Sequence, residues 1–90
     1  MSAPAVTVEF FGVPRLRAGR KELTVSAVTA GEALAAVMDA CPTLTGLREP
    51  DGRLAPQYLL SLDGERFLTD LAEPLRPGDR LLLLSADAGG

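Results

Sequence analysis

Apolar and polar positions alternate from Val6 to Phe11, and β-branched and aromatic residues fill the run. The spacing predicts a strand with Val6, Val8 and Phe10 on one face and Thr7, Glu9 and Phe11 on the other. Gly12 and Pro14 are read as its end, and Arg15 to Arg20, polar around Gly19, as a turn or loop. Glu22 to Val25 reads as a short second strand, the hairpin partner of the first. Thr29 is followed three residues later by Glu32. That spacing lets each side chain bond the other's free backbone amide at a helix start. A helix is expected from Ala30 to Cys41, with Leu34, Val37, Met38 and Cys41 on one face and Pro42 as its stop. The stretch from Thr43 to Gln57 is irregular, anchored by Leu44, Leu47 and Leu54, with a turn at Glu49-Pro-Asp-Gly52.

Tyr58 to Leu62 reads as a third strand. Asp63-Gly64 is a strong hairpin-turn signal, and Glu65 to Leu68 reads as a short returning strand. A turn at Leu75-Arg-Pro-Gly-Asp79 leads into a last strand, Arg80 to Ser85. Alternation splits its four leucines: Leu81 and Leu83 toward the core, Leu82 and Leu84 toward solvent or a covering element. The expected architecture is α+β: a mixed sheet of four to five strands with one main helix packed on one face. The first and last strands adjacent and parallel would make it a β-grasp, or ubiquitin-like, fold. Residues 1–85 form the expected domain, and residues 86–90 a flexible C-terminal tail.

Ninety residues suffice for one modest core without metal or disulfide. There is no histidine and no tryptophan, and the net charge is −3. No basic cluster or phosphate-cradling glycine loop stands out, so nucleic acid is not an expected partner. The lone Cys41 ends an apolar helix face and reads as a packing residue rather than a sulfur donor. One cysteine, no signal peptide and no spanning apolar run point to a cytoplasmic location and no membrane association. The residue types for a nucleophile relay or a zinc cluster are missing, so the chain is not expected to be an enzyme.

Chemistry concentrates instead at Gly89-Gly90, the last residues of the sequence. A terminal glycine carries an α-carboxylate without side-chain bulk, and a second glycine adds conformations closed to other residues. Such a terminus can thread into a narrow active site. Its carboxylate is ionised at neutral pH and a poor electrophile until another protein activates it. Fully extended, residues 86–90 reach at most about 17–18 Å.

Val8-Glu-Phe-Phe-Gly-Val-Pro-Arg-Leu-Arg-Ala-Gly19, Thr29-Ala-Gly-Glu-Ala-Leu34, Leu75-x-Pro-Gly-Asp79 and terminal Gly89-Gly90 together resemble the MoaD/ThiS family of sulfur carrier proteins. The MoaD-like carriers are the nearer type. The resemblance runs from Val6 to the end. It implies no bound cofactor, and a ThiF/MoeB-like adenylating enzyme that spends ATP, with magnesium, on the carboxylate of Gly90. A persulfide or sulfide donor would then leave a thiocarboxylate there, with Gly89 giving access. A downstream synthase would take the sulfur: a molybdopterin synthase large subunit, a thiazole synthase, or a cysteine synthase type. The paired phenylalanines resemble the molybdopterin type, whose small non-catalytic subunit this chain would be. The long middle loop resembles carriers for cysteine synthesis.

The family places apolar partner contacts at positions matching Phe11 and Leu84, and at Phe67 or Leu68. Phe11 has a second reading, packing beneath the middle segment. The tail Ser85-Ala-Asp-Ala-Gly-Gly90 departs from relatives by the charge of Asp87, which an apolar channel would have to accommodate. Two rivals are a protein modifier joined through Gly90 to target lysines, and a β-grasp interaction module whose glycines are inert. Lys21 is the only lysine, which argues against a body built for chain extension.

Overall fold

The computed structural model of the chain describes residues 4–86. Five strands and two helices follow in the order β1 (Ala5–Phe10), α1 (Val13–Ala18), β2 (Glu22–Ser26), α2 (Ala30–Ala40), β3 (Tyr58–Leu62), β4 (Arg66–Phe67) and β5 (Arg80–Ser85). They form one sheet in the order β2-β1-β5-β3-β4. β1 and β5 lie parallel at its centre, with Val8 opposite Leu81 and Phe10 opposite Leu83. The other pairings are antiparallel. This is the ubiquitin-like β-grasp arrangement.

One sheet face is the core. Val6, Val8, Phe10, Leu60, Leu81 and Leu83 are buried there with Leu34 and Val37 of α2. Each such side chain contributes about 1.5–3 kcal/mol of burial. Leu81 and Leu83 point inward as their alternation requires. Leu44 and Leu47 pin the irregular middle segment, while Leu54 is only half-buried. Cys41 packs into the core, and Met38 at its margin.

α2 begins as its sequence dictates. Thr29 Oγ1 accepts from the Glu32 amide at 3.2 Å. Glu32 Oε1 accepts from the Val28 amide at 3.1 Å, one residue further out than a reciprocal cap would reach. At the Asp63-Gly64 turn both residues have positive φ, 55° and 73°, and the Glu65 amide closes onto the Leu62 carbonyl at 3.0 Å. Arg66 of β4 is held to Glu73 at 2.5 Å. That hydrogen bond and the Glu73 charge raise the Arg66 pKa further.

Residues 13–18, read from sequence as loop, are helical. Proline ends a strand because it removes a ladder donor, but its fixed φ suits the first turn of a helix. Pro14 occupies that first turn and is buried. Gly19 closes α1 in the left-handed region at φ 73°, its amide donating to the Arg15 carbonyl at 2.9 Å.

Candidate functional site

The second sheet face is divided along its length. Where β5 begins it is polar: Arg80 pairs with Glu9 at 3.0 Å and Glu22 at 3.6 Å. Where β5 ends it is apolar. Strand register sets Leu82 between Glu9 and Ser61, and Ser61 opposite Phe67. In the next row Leu84 stands opposite Leu59. Phe11 continues β1 beside this row, its amide donating to the Leu83 carbonyl at 3.0 Å. Phe67 is 60% exposed and Leu59 37%, while Phe11, Leu82 and Leu84 are half-buried. These five side chains give the outer face an apolar end, a candidate interaction surface.

The patch brings together all three docking residues expected from sequence, Phe11, Leu84 and Phe67. Phe11 does not pack beneath the middle segment. Its ring lies on this outer face with the Arg15 guanidinium 5.3 Å from the ring centroid. Arg15 also donates through Nε to the Phe10 carbonyl at 2.9 Å. These two contacts fix both the first turn of α1 and the ring.

Two further patch members, Leu82 and Leu59, are not singled out as site residues by the sequence pattern. Alternation places Leu82 on the outward face. For Leu59 the adjacent leucines at 59 and 60 carry the needed signal. In any strand one of two neighbours must face outward.

Beside Leu59 and Phe67 an apolar hollow of about 300 Å³ opens toward Leu54, Pro56 and Leu68. A larger groove, about 760 Å³, lies at the start of α2 between Thr29, Arg48, Asp51 and Asp70. It is lined by no residue of the sheet. The tail leaves from the apolar end, because the last strand ends there at Ser85. Ala86, expected to be free, still donates its amide to the Gln57 carbonyl at 2.8 Å. Gly89 and Gly90 lie outside the described residues.

Among the described residues no group of three His, Cys, Asp or Glu side chains is placed to hold a metal ion. No described helix is long and apolar enough to cross a membrane.

Solved structures share this fold. The chain is similar to the crystal structure of SAMP1 from Haloferax volcanii. The TM-score is 0.82 and the identity 28%, over 96% of this chain and 99% of that one. It is also similar in fold to the small archaeal modifier protein 1 of Methanosarcina acetivorans, with a TM-score of 0.81 and 24% identity over 97% of each chain. A Pyrococcus furiosus protein proposed to be subunit 1 of molybdopterin converting factor shares the fold at a TM-score of 0.72. Its identity is 16% over 92% of this chain and 98% of that one. No protein-family model matches the chain, and neither does any curated protein.

Proposed function

We propose that this chain, similar in structure to small archaeal modifier proteins, is a sulfur carrier whose reactive group is the carboxylate of Gly90. The carrying observation is the placement of the apolar patch at the end of the sheet from which the tail departs. A partner that grips Phe11, Leu59, Leu82, Leu84 and Phe67 sits where residues 86–90 can reach its interior.

One carboxylate oxygen of Gly90 attacks the α-phosphorus of ATP on a ThiF/MoeB-like adenylating enzyme, and pyrophosphate leaves. Magnesium belongs to that enzyme. Sulfur from a sulfide or persulfide donor then attacks the carbonyl carbon, and AMP departs with its bonding electrons. A persulfide donor additionally needs a thiol to reduce the intermediate disulfide. The product is a thiocarboxylate, which a downstream synthase consumes. Gly89 keeps the approach free of side-chain bulk.

Paired phenylalanines favoured the molybdopterin type, but Phe10 is a core residue that a buried strand face calls for in any pathway. Only Phe11 can speak to a partner. A second reading, a modifier conjugated through Gly90, is favoured by likeness to proteins described as small archaeal modifiers.

The test is incubation of the native-length protein with adenylating enzymes of its own organism, ATP and sulfide, followed by intact-mass measurement. A carrier gains the mass of sulfur replacing oxygen, and deleting Gly90 removes that gain. Adducts on other proteins without any thiocarboxylate would favour the modifier, and a chain inert in both assays would refute both readings.

A further inference from the structure

The outer sheet face leaves α1 unexplained. Leu16 is 81% exposed and Val13 40%, an unusual display for so short a helix. Around them stand Arg15, Arg17, Arg20 and Lys21, and residues 13–21 include no acid, in a chain of net charge −3. Among the described residues these four cations, like the scattered Arg48 and Arg76, have no carboxylate partner, whereas Arg53, Arg66 and Arg80 do; only here do four such cations fall within seven residues. Two of the four are fixed in other ways. Arg15 lies over Phe11 of the apolar patch. Arg17 reaches the Tyr58 hydroxyl at 3.4 Å, and Tyr58 is the register partner of Ser85, the last residue of β5. A cationic ridge with an exposed leucine therefore borders both the docking patch and the root of the tail.

We propose that this ridge is a second contact for the activating enzyme, and that it receives an acidic segment carrying an apolar side chain. The apolar group covers Leu16, and carboxylates face Arg17, Arg20 and Lys21. Charge complementarity selects an acidic occupant. Leu16 selects a polypeptide, because a polyanion without apolar groups would use the cations and leave the leucine in water. At about 0.1 M salt such charges act over about 10 Å, so they mainly speed encounter and set partner choice. The inference rests on the reading that Gly90 is activated by a partner, and adds the chemistry by which that partner is chosen.

The test uses the full chain, isotope-labelled for NMR, and two ligands. One is a synthetic peptide of glutamates around a central leucine. The other is the adenylating enzyme that thiocarboxylates the chain. The peptide should move the amide signals of residues 13–21. Combined Arg17→Glu, Arg20→Glu and Lys21→Glu should weaken peptide binding at least about tenfold, and lower kcat/KM for thiocarboxylation about tenfold at low salt, with the gap closing at high salt. Leu16→Asp should weaken both. Arg20→Glu alone, at an exposed turn residue, gives a smaller loss in the same direction if the triple variant does not fold.

The inference is overturned if the peptide leaves residues 13–21 unmoved. It is equally overturned if single-stranded RNA binds the ridge more tightly than the peptide, or if charge reversal leaves kcat/KM unchanged. Should the unaltered chain never be thiocarboxylated, the carrier reading fails and the ridge is no contact of an activating enzyme. The peptide titration then still decides whether it binds acidic segments.

Discussion

Phe67 is mostly exposed on a strand only two residues long, so its ring does little for the core. Phe67→Ser should therefore change unfolding free energy by no more than about 0.5 kcal/mol. If the patch is the docking surface proposed above, losing its most exposed aromatic should cost about 2 kcal/mol of binding, roughly thirtyfold. Leu83 is the opposite case, fully buried between Phe10 and Leu60 in the register. Leu83→Ala should cost about 2–5 kcal/mol in a urea titration. Whatever folded protein remains should dock normally. The pair separates the two faces of the sheet by two different readouts. Alternation alone made Phe11, Leu82 and Leu84 legible as outward residues. That Phe11 would lie on the patch rather than under the middle segment was not legible, because the answer depends on Arg15, supplied by a helix that the sequence pattern did not disclose.

At the scale of elements, the strands were written in the sequence by period-two patterning and by Asp63-Gly64. α2 was written by its cap and its 3.6-residue spacing. Thr29→Ala removes the acceptor for the Glu32 amide and should lower stability by about 1 kcal/mol, read as a shifted denaturation midpoint. Gly64→Val forces a β-branched residue into positive φ, which L-residues disfavour by roughly 1–2 kcal/mol. Stability should fall accordingly, and amide exchange should speed first in β4, whose register depends on that turn. α1 escaped detection for a physical reason. It is a single short segment, flanked by glycines, carrying a proline and showing almost no apolar face to the core. What holds it is tertiary. Pro14 is buried, Thr43 Oγ1 donates to the Arg17 carbonyl, and Arg15 is tied to Phe10. Local propensity contains none of these contacts.

For the whole molecule, the proposed carrier role would separate folding from function at the end of β5. The described core runs from Val6 to Leu83, and the last described backbone hydrogen bond is that of Ala86. Removing Gly89 and Gly90 should therefore leave the thermal midpoint within about 1 °C, since every described core residue is kept. Thiocarboxylate formation should disappear. The truncated chain also keeps both the apolar patch and the α1 ridge, so it should still occupy the adenylating enzyme. Added in excess, it should inhibit activation of the full-length chain competitively. The same truncation carrying Phe67→Ser should inhibit far less. If the truncated chain failed to compete, most of the docking energy would reside in the last two residues, and the patch at the tail's root would have lost its role.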